Sequence, residues 1–429
     1  MKKTQLTWID LTDIYNWRGH FTGIQRVVYS YAQRFANDDA KFFVYDKIGK
    51  RHVEVELDFV EAQIHGQNEV RLLRRQIYKQ KITKPYHALP TSVKNRLRPF
   101  AAKSNQTART LIYKVVDKGV AVSPFREYPA ADFKSGDTVV LLGAGWNEPG
   151  SLELLCSIKL DTGIKLAVHI NDILPIYQPH LFADELSKIF TPYVEMAAKN
   201  ADYITVISKA TERDFKIFCD ENSITLPKIT VVRLGEDVES AAPKKPDSFP
   251  VKGDFILSVG TFEIRKNFVL LYQAAKLAQL EGRDFPSIVI VGRKGWLADN
   301  LFHVLQHDPL TKNKIFLISN ISDAELNWMY ENCMFTVFPS LCEGWGLPIV
   351  ESLQHGKTCL SSNISSMLEI GDGLIDYFSP YDARSCMDKV IEYAKDNTYQ
   401  QKNEAVQKRY KSFRWDDSYD SFVKAIDRE

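Results

Sequence analysis

The sequence predicts an α/β chain built as two doubly wound domains, each a largely parallel sheet covered by helices. Three observations carry this expectation. At 429 residues the chain is too long for one ordinary core. Short, continuous apolar runs recur along it, each closed by turn residues and followed by apolar residues at three- and four-residue spacing. A stretch rich in proline and lysine separates two sets of such runs.

The first set begins with a strand-like segment at 6–9, a glycine-bearing turn and an apparent helix at 27–35. Runs follow at 138–142 (TVVLL), 165–170 (KLAVHI), 203–207 (YITVI) and 228–233 (KITVVR). The second set comprises 255–259 (FILSV), 287–291 (SIVIV), 314–318 (KIFLI) and 335–338 (FTVF). Apolar runs without polar alternation are buried on both faces, as in parallel sheets sandwiched by helices. Residues 267–281 and 322–332 have helical spacing, as do 415–429, with Tyr419, Phe422, Val423 and Ile426 on one face. Between the sets, 241–253 (AAPKKPDSFPVKG) holds three prolines and three lysines and is the expected domain boundary and hinge. The expected domains are 1–245 and 246–414, with the helix 415–429 added to the first.

Composition excludes several classes. With 45% hydrophobic and 25% charged residues the chain can fill two cores, and a net charge of +1 marks neither a basic nucleic-acid binder nor an acidic one. Cys156, Cys219, Cys333, Cys342, Cys359 and Cys386 form no C-x-x-C pair, and no histidine stands at zinc-ligand spacing beside two of them. Such thiols are expected as small core residues in a reducing compartment. Asp10 and Asp13 interrupt the apolar residues after Lys2 and Lys3, which argues against a signal peptide. No window reaches the roughly 18 apolar residues of a membrane span, so a soluble, cytoplasmic protein is expected.

The segment 66–118 is locally extreme. It has thirteen Lys or Arg against Glu69 and Asp117, with Leu72, Ile77, Tyr78 and Phe100 interspersed. It fits a solvated insertion, or a patch for an anionic membrane or an anionic acceptor lipid. Nucleic acid is disfavoured because no nucleic-acid module accompanies the charge.

The stretch from Phe338 to Leu353 carries the most chemistry. A buried run passes through Pro339-Ser340 into a loop, Glu343-Gly344-Trp345-Gly346-Leu347, and then a helix expected to start near Pro348. The glycines let backbone N–H groups approach a ligand, and the following helix N-terminus favours anionic oxygens or hydroxyls. Glu343 and Glu351, eight residues apart, could each accept hydrogen bonds from paired hydroxyls, on a sugar and on a ribose. Either glutamate alone is as well explained as a solvated acid at a helix start. Together, beside a glycine loop at the C-terminal end of a strand, they mark the edge where doubly wound sheets bind ligands.

The pattern E-G-x-G-L-P-x-x-E closely resembles the E-x7-E motif of retaining glycosyltransferases of family 4, which have the GT-B fold of two Rossmann-like domains facing a cleft. Four further stretches resemble that family in the same order: Ser258 to Asn267, which carries the Arg265-Lys266 pair; Ile288 to Gly292; Ile321 to Leu326; and Ser361 to Ile370 followed by Tyr377 to Pro380. The resemblance covers nearly all of 254–383, and the TGIQRV start and WGLP loop resemble those of bacterial polysaccharide and O-antigen mannosyltransferases. It implies that Glu351 binds the donor ribose, that Glu343 faces the transferred sugar, and that Arg265 and Lys266 grip the diphosphate. It extends donor binding to Gly23, Gly260, Thr261, Ile318 and Gly344 through Leu347. Developing charge on a departing diphosphate needs positioned cations, and a basic pair opposing a helix dipole is better explained by a bound anion than by solvation.

In the N-terminal half, Thr22-Gly23-Ile24-Gln25-Arg26-Val27 resembles the family's first glycine loop. Val168-His169-Ile170-Asn171-Asp172 resembles a segment where many relatives have a His-Asp pair; here Asn171-Asp172 takes that place. Asp172 would orient the acceptor or the sugar, with Asn171 and Trp146 as further acceptor candidates, while His169 is as well explained as a core or edge residue. Ser208 and Gly235-Glu236-Asp237 match further family loops. The helix 415–429 is expected to cross back to the N-terminal domain.

No D-x-D pair is present, so a metal-independent enzyme without cofactor is expected. The resemblance implies front-face transfer from a nucleotide sugar, with guanine and mannose or a related deoxyhexose preferred. UDP- or dTDP-sugars are the alternative donors. The acceptor would be a saccharide, free or on a lipid pyrophosphate. A Rossmann dehydrogenase or epimerase lacks its G-x-G-x-x-G fingerprint here, and a silent binding subunit would not need Glu343, Glu351, Arg265 and Lys266 intact.

Overall fold

The computed structural model describes residues 5–17, 23–62, 123–237, 241–296, 299–395 and 398–427. The basic segment 66–118 and Thr22 lie outside the described residues. The chain divides into two compact units, Met1–Leu166 and Ala167–Glu429.

The first unit contains strands β1 (Thr7–Asp10), β2 (Lys41–Asp46), β3 (Arg51–Val55) and β4 (Thr138–Leu141), ordered β3-β2-β1-β4. β1 pairs in parallel with β2 and β4, whereas β2 and β3 form an antiparallel hairpin. That hairpin was absent from the expected strands. Its turn is made by Asp46, whose carboxylate accepts the N–H groups of Ile48 (3.1 Å) and Gly49 (3.0 Å), an aspartate-led turn that propensity supports. The helix Gly23–Asn37 buries Val27, Val28, Tyr31 and Phe35.

The second unit begins within β5 (Lys165–Ile170), which pairs in parallel with β6 (Tyr203–Val206), and β6 with β7 (Lys228–Val231). It also holds a fully parallel six-stranded sheet: β8 (Phe255–Val259), β9 (Ser287–Val291), β10 (Ile315–Ile318), β11 (Thr336–Phe338), β12 (Cys359–Ser362) and β13 (Asp376–Phe378). Their order, β10-β9-β8-β11-β12-β13, reverses direction between β8 and β11. At that reversal the connecting helices pass to opposite faces, leaving a crevice outside the strands' C-terminal ends. Ile256, Leu271, Phe285, Phe335 and Tyr393 are buried in the larger core of this sheet. Gly292 sits where a Cβ would lie 1.8 Å from the carbonyl oxygen of Gly260, so the turn after β9 packs directly on the loop after β8 and admits no side chain.

The stretch 241–253 follows β7 and precedes β8. It is tied down: the Lys244 N–H donates to Ala324 O (2.9 Å), and Phe249 packs on Phe255 and Trp328 with ring centroids 5.0 and 5.1 Å apart. The C-terminal helix Trp415–Ile426 returns to the β5–β7 layer. There the Ser418 hydroxyl donates to Arg233 O (2.7 Å) and Phe422 faces His169.

Among the described residues, no helix is long and apolar enough to cross a membrane.

Candidate active site

Two loops at the C-terminal ends of β8 and β11 meet at the reversal of the six-stranded sheet. After β8 the chain passes Gly260 and Thr261 into a short 3-10 turn, Ile264–Lys266. Asn267 follows in the left-handed region (φ 55°), and only then does the helix Phe268–Leu280 begin. Arg265 and Lys266 therefore precede the helix rather than opening it. Asn267 locks this bend by donating its side-chain amide to Pro339 O (3.0 Å) and Pro380 O (2.9 Å), while the Leu341 N–H donates to Arg265 O (2.7 Å). The two loops are thus one hydrogen-bonded assembly.

Into it project one carboxylate and two cations. The Glu343 carboxylate accepts the Lys266 ammonium at 2.6 Å and the Arg265 guanidinium on its other oxygen. Arg265 Nε also lies 2.6 Å from Glu263, an ion-pair contact without hydrogen-bond alignment. The Arg265 guanidinium lies 5.9 Å from the Phe182 ring centre. Burial pushes the Glu343 carboxyl upward, but Arg265 and Lys266 outweigh it and hold the group below the ordinary glutamate value. Burial pulls the Lys266 ammonium down against the pull of Glu343; with a carboxylate at 2.6 Å, the charged pair is the form that fits this geometry. The anion that the basic pair called for in sequence is, in this structure, the chain's own Glu343.

Asp172 belongs to the same site. At Gly344 a Cβ would lie 2.8 Å from both Asn171 O and Asp172 Cβ, so only glycine lets these loops touch. Burial, opposed by Arg265, raises the Asp172 carboxyl above its ordinary value. Its Oδ1 accepts the Leu174 N–H at 3.1 Å.

The loop after Glu343 is held from below by serines that belong to the SSNISSMLEI stretch. Ser365 and Ser366 donate to Glu343 O (2.9 and 2.8 Å), and Ser366 also reaches Trp345 O (3.1 Å). The helix Leu347–Gln354 carries Pro348 in its first turn and Glu351 further along. Glu351 accepts the hydroxyl of Tyr330 at 2.8 Å, and Tyr330 stacks on His355 at 4.9 Å.

Further expected residues lie on other elements. Ile318 ends β10, with β9 between it and β8, and its carbonyl accepts the Gly292 N–H (3.0 Å). Gly23 starts the helix Gly23–Asn37 and Trp146 lies in the 3-10 turn Gly145–Asn147, both in the first unit. His169 is a buried residue of β5, bonded to the Thr205 hydroxyl at 2.9 Å, and burial lowers it to about 4. It is neutral and packs as a core residue. Glu263 and Tyr330 were not among the expected site residues. Charge alternation in Glu263-Ile264-Arg265 was the available signal for the first, while Tyr330 meets Glu351 only through tertiary contact.

Glu369 was also missed. Its carboxylate accepts the N–H groups of Lys209 (2.9 Å) and Ala210 (2.8 Å), closing the N-terminus of the helix Lys209–Glu221 alongside the Ser208 cap. Glu369→Ala is expected to destabilise the protein by about 1 kcal/mol, the usual size of a lost helix cap at an exposed end. Urea unfolding monitored by circular dichroism measures this, and an unchanged midpoint would show the cap to be idle.

Comparison with known proteins identifies the segment that carries these loops. Residues 241–411 match the family model described as "Glycosyl transferases group 1". This segment is a group 1 glycosyltransferase domain. The serotype-specific mannosyltransferase WbdA of Escherichia coli is 30% identical over 224 residues, which are 49% of this chain and 27% of that protein. The O-antigen chain mannosyltransferase RfbU of Salmonella typhimurium is 23% identical over 240 residues, 55% of this chain and 63% of the relative. The chain thus spans little more than a quarter of WbdA's length. Among solved structures, Anabaena HepE in complex with UDP-glucose superposes with a TM-score of 0.59 at 14% identity, covering 98% of this chain and 99% of that one. At that identity the likeness speaks to fold, and the fold is GT-B.

Proposed function

We propose that the chain is a retaining hexosyltransferase that moves mannose, or a related deoxyhexose, from a GDP-sugar to a saccharide acceptor in cell-surface polysaccharide synthesis. The observation that carries this is the meeting of Arg265, Lys266 and Glu343 at the reversal of the parallel sheet, with Glu351 on the adjoining helix. The choice of mannose is supported by the mannosyltransferase relatives, and attachment of the acceptor to a lipid pyrophosphate by the basic segment 66–118.

In this reading the bond from the sugar's anomeric carbon to the diphosphate breaks, and a bond to an acceptor hydroxyl forms on the same face. The acceptor proton passes to the departing phosphate oxygen. Arg265 and Lys266 neutralise the charge that develops there, so we propose catalysis without a metal. Glu351 receives the ribose hydroxyls in exchange for Tyr330, and Glu343 turns to the sugar. Asp172, raised by burial, meets the sugar or the acceptor as a hydrogen-bonding group.

A panel of nucleotide sugars tests the donor. GDP-mannose at one hundred times its Kd is expected to stabilise the fold by about 2.7 kcal/mol, and turnover is expected to persist in EDTA. Stabilisation by UDP- or dTDP-sugars alone would overturn the choice of donor. In Glu351→Ala the donor kcat/KM is expected to fall about tenfold to a hundredfold, as when a hydrogen bond to a substrate hydroxyl is lost. Unchanged kinetics would remove Glu351 from the site.

A further inference from the structure

Beside the glycine loop lies a polar cluster that the proposed chemistry does not use, centred on the buried Glu236 with Arg233 part-exposed. Glu236, in the loop after β7, has a side chain with 0% exposure. Its carboxylate accepts the Arg233 guanidinium through Nε (3.1 Å) and Nη2, the Tyr410 hydroxyl, and the Phe413 N–H (3.0 Å). The backbone of Glu236 is held as well: its N–H donates to Phe413 O (2.8 Å) and its carbonyl accepts the Gln354 amide. Gln354 ends the helix that carries Glu351. A buried carboxylate with this many donors has one place to be, and it fixes Arg233 in turn.

Arg233 uses its planar group on two rings. Its guanidinium carbon lies 5.6 Å from the ring centre of Trp345 and 5.2 Å from that of Phe413. The Trp345 side chain is buried, yet among the described residues its indole N–H has no hydrogen-bond partner. Among the described residues no hydrogen bond of its own orients the ring, and the contact with Arg233 is a polar constraint on it.

We propose that Arg233 is a positioning residue for the donor loop: clamped by Glu236, it orients Trp345 and so sets the backbone of Gly344–Leu347 between Glu343 and Glu351. The inference rests on the donor-site reading given above. It is specific about mechanism, because Arg233 touches neither glutamate and acts through the tryptophan. Loss of the clamp lets the loop sample other arrangements, and donor binding must then select the competent one. Donor affinity falls by that fraction while the chemical step, once the loop is seated, is unaltered.

The test is a double-mutant cycle on donor kinetics. Arg233→Ala is expected to raise donor KM about tenfold, within the range of one cation–π contact, with kcat within about twofold. Arg233→Lys keeps the charge but loses the planar group, and an intermediate rise of about threefold is expected. The double variant Arg233→Ala with Trp345→Ala is expected to match Trp345→Ala alone, because both changes remove one contact. The emission of Trp345, isolated by subtracting the Trp345→Phe spectrum, is expected to shift to the red in Arg233→Ala. Additive effects on KM, a fall in kcat at constant KM, or an unshifted spectrum would each overturn the inference. Should Arg233→Ala not fold, the cycle of Arg233→Lys with Trp345→Phe is decided on the same criteria. Glu351→Ala runs in parallel. Full donor affinity there overturns the donor-site reading itself, whereas impaired Glu351→Ala beside normal Arg233 variants overturns this inference alone.

Discussion

Lys266→Ala is expected to lower donor turnover by about a hundred- to a thousandfold, the cost of removing one preorganised group that meets charge in a transition state. The size follows from where the ammonium sits. Lys266 is buried, its stem lies against Gly260, with the nearest side-chain carbons 3.3 Å from where a Cβ would stand, and its Nζ is aimed by the Asn267 bend at the common point of two loops. A cation in water reorganises solvent to meet new charge; one held in a packed wall does not. Arg265 remains in the variant to pair with Glu343, so folding should survive the change. Steady-state kinetics with matched thermal melts separate the two effects. Turnover within threefold of the parent would remove Lys266 from the reaction.

Glu343→Gln is expected to destabilise the ligand-free protein by about 3 kcal/mol, because a buried pair that loses one partner leaves charge uncompensated. Here two cations lose their common carboxylate, with Glu263 still beside Arg265. The same variant is expected to gain more in melting temperature from pyrophosphate or GDP than the parent does. In the parent those anions must displace Glu343; in the variant they supply the missing charge. The pH dependence follows from the direction of the shift. Because Glu343 is held below its ordinary value of 4.5, its contribution is present above that pH and is lost as pH falls through the lower, folded value. The glutamine variant has no such contribution, so the stability gap between the two proteins should narrow in acid. Equal melting temperatures at neutral pH, or equal gains with pyrophosphate, would show that Glu343 is not the resident counter-ion.

Much of this was legible before any tertiary contact was known. Apolar runs located β4 through β11 to within a residue or two, because strands buried on both faces leave an unbroken signature. The hairpin β2–β3 escaped because KFFVYD and RHVEV are short and their turn depends on one aspartate accepting two N–H groups. The loop Glu343–Leu347 was legible because glycines and a first-turn proline have few other uses there. The counter-ion of Arg265 and Lys266 was not. Charge in a sequence announces that an opposite charge is needed, without saying whether a ligand or a residue 77 positions away supplies it.

The sequence by itself determined the strand and helix pattern and the identity of the two loops that carry the charged residues, since these depend on local periodicity and on residues with narrow conformational roles; the GT-B expectation came from the resemblance of its motifs to a known family. Tertiary structure decided how those groups are paired. It made Glu343 the partner of both cations, placed Gly344 on Asp172, set Tyr330 on Glu351, and sent Glu236 to hold Arg233 against Trp345. The physical reason is the same in each case: burial makes an unpaired polar group costly, and which partner satisfies it is fixed by strand order and loop packing rather than by distance along the chain.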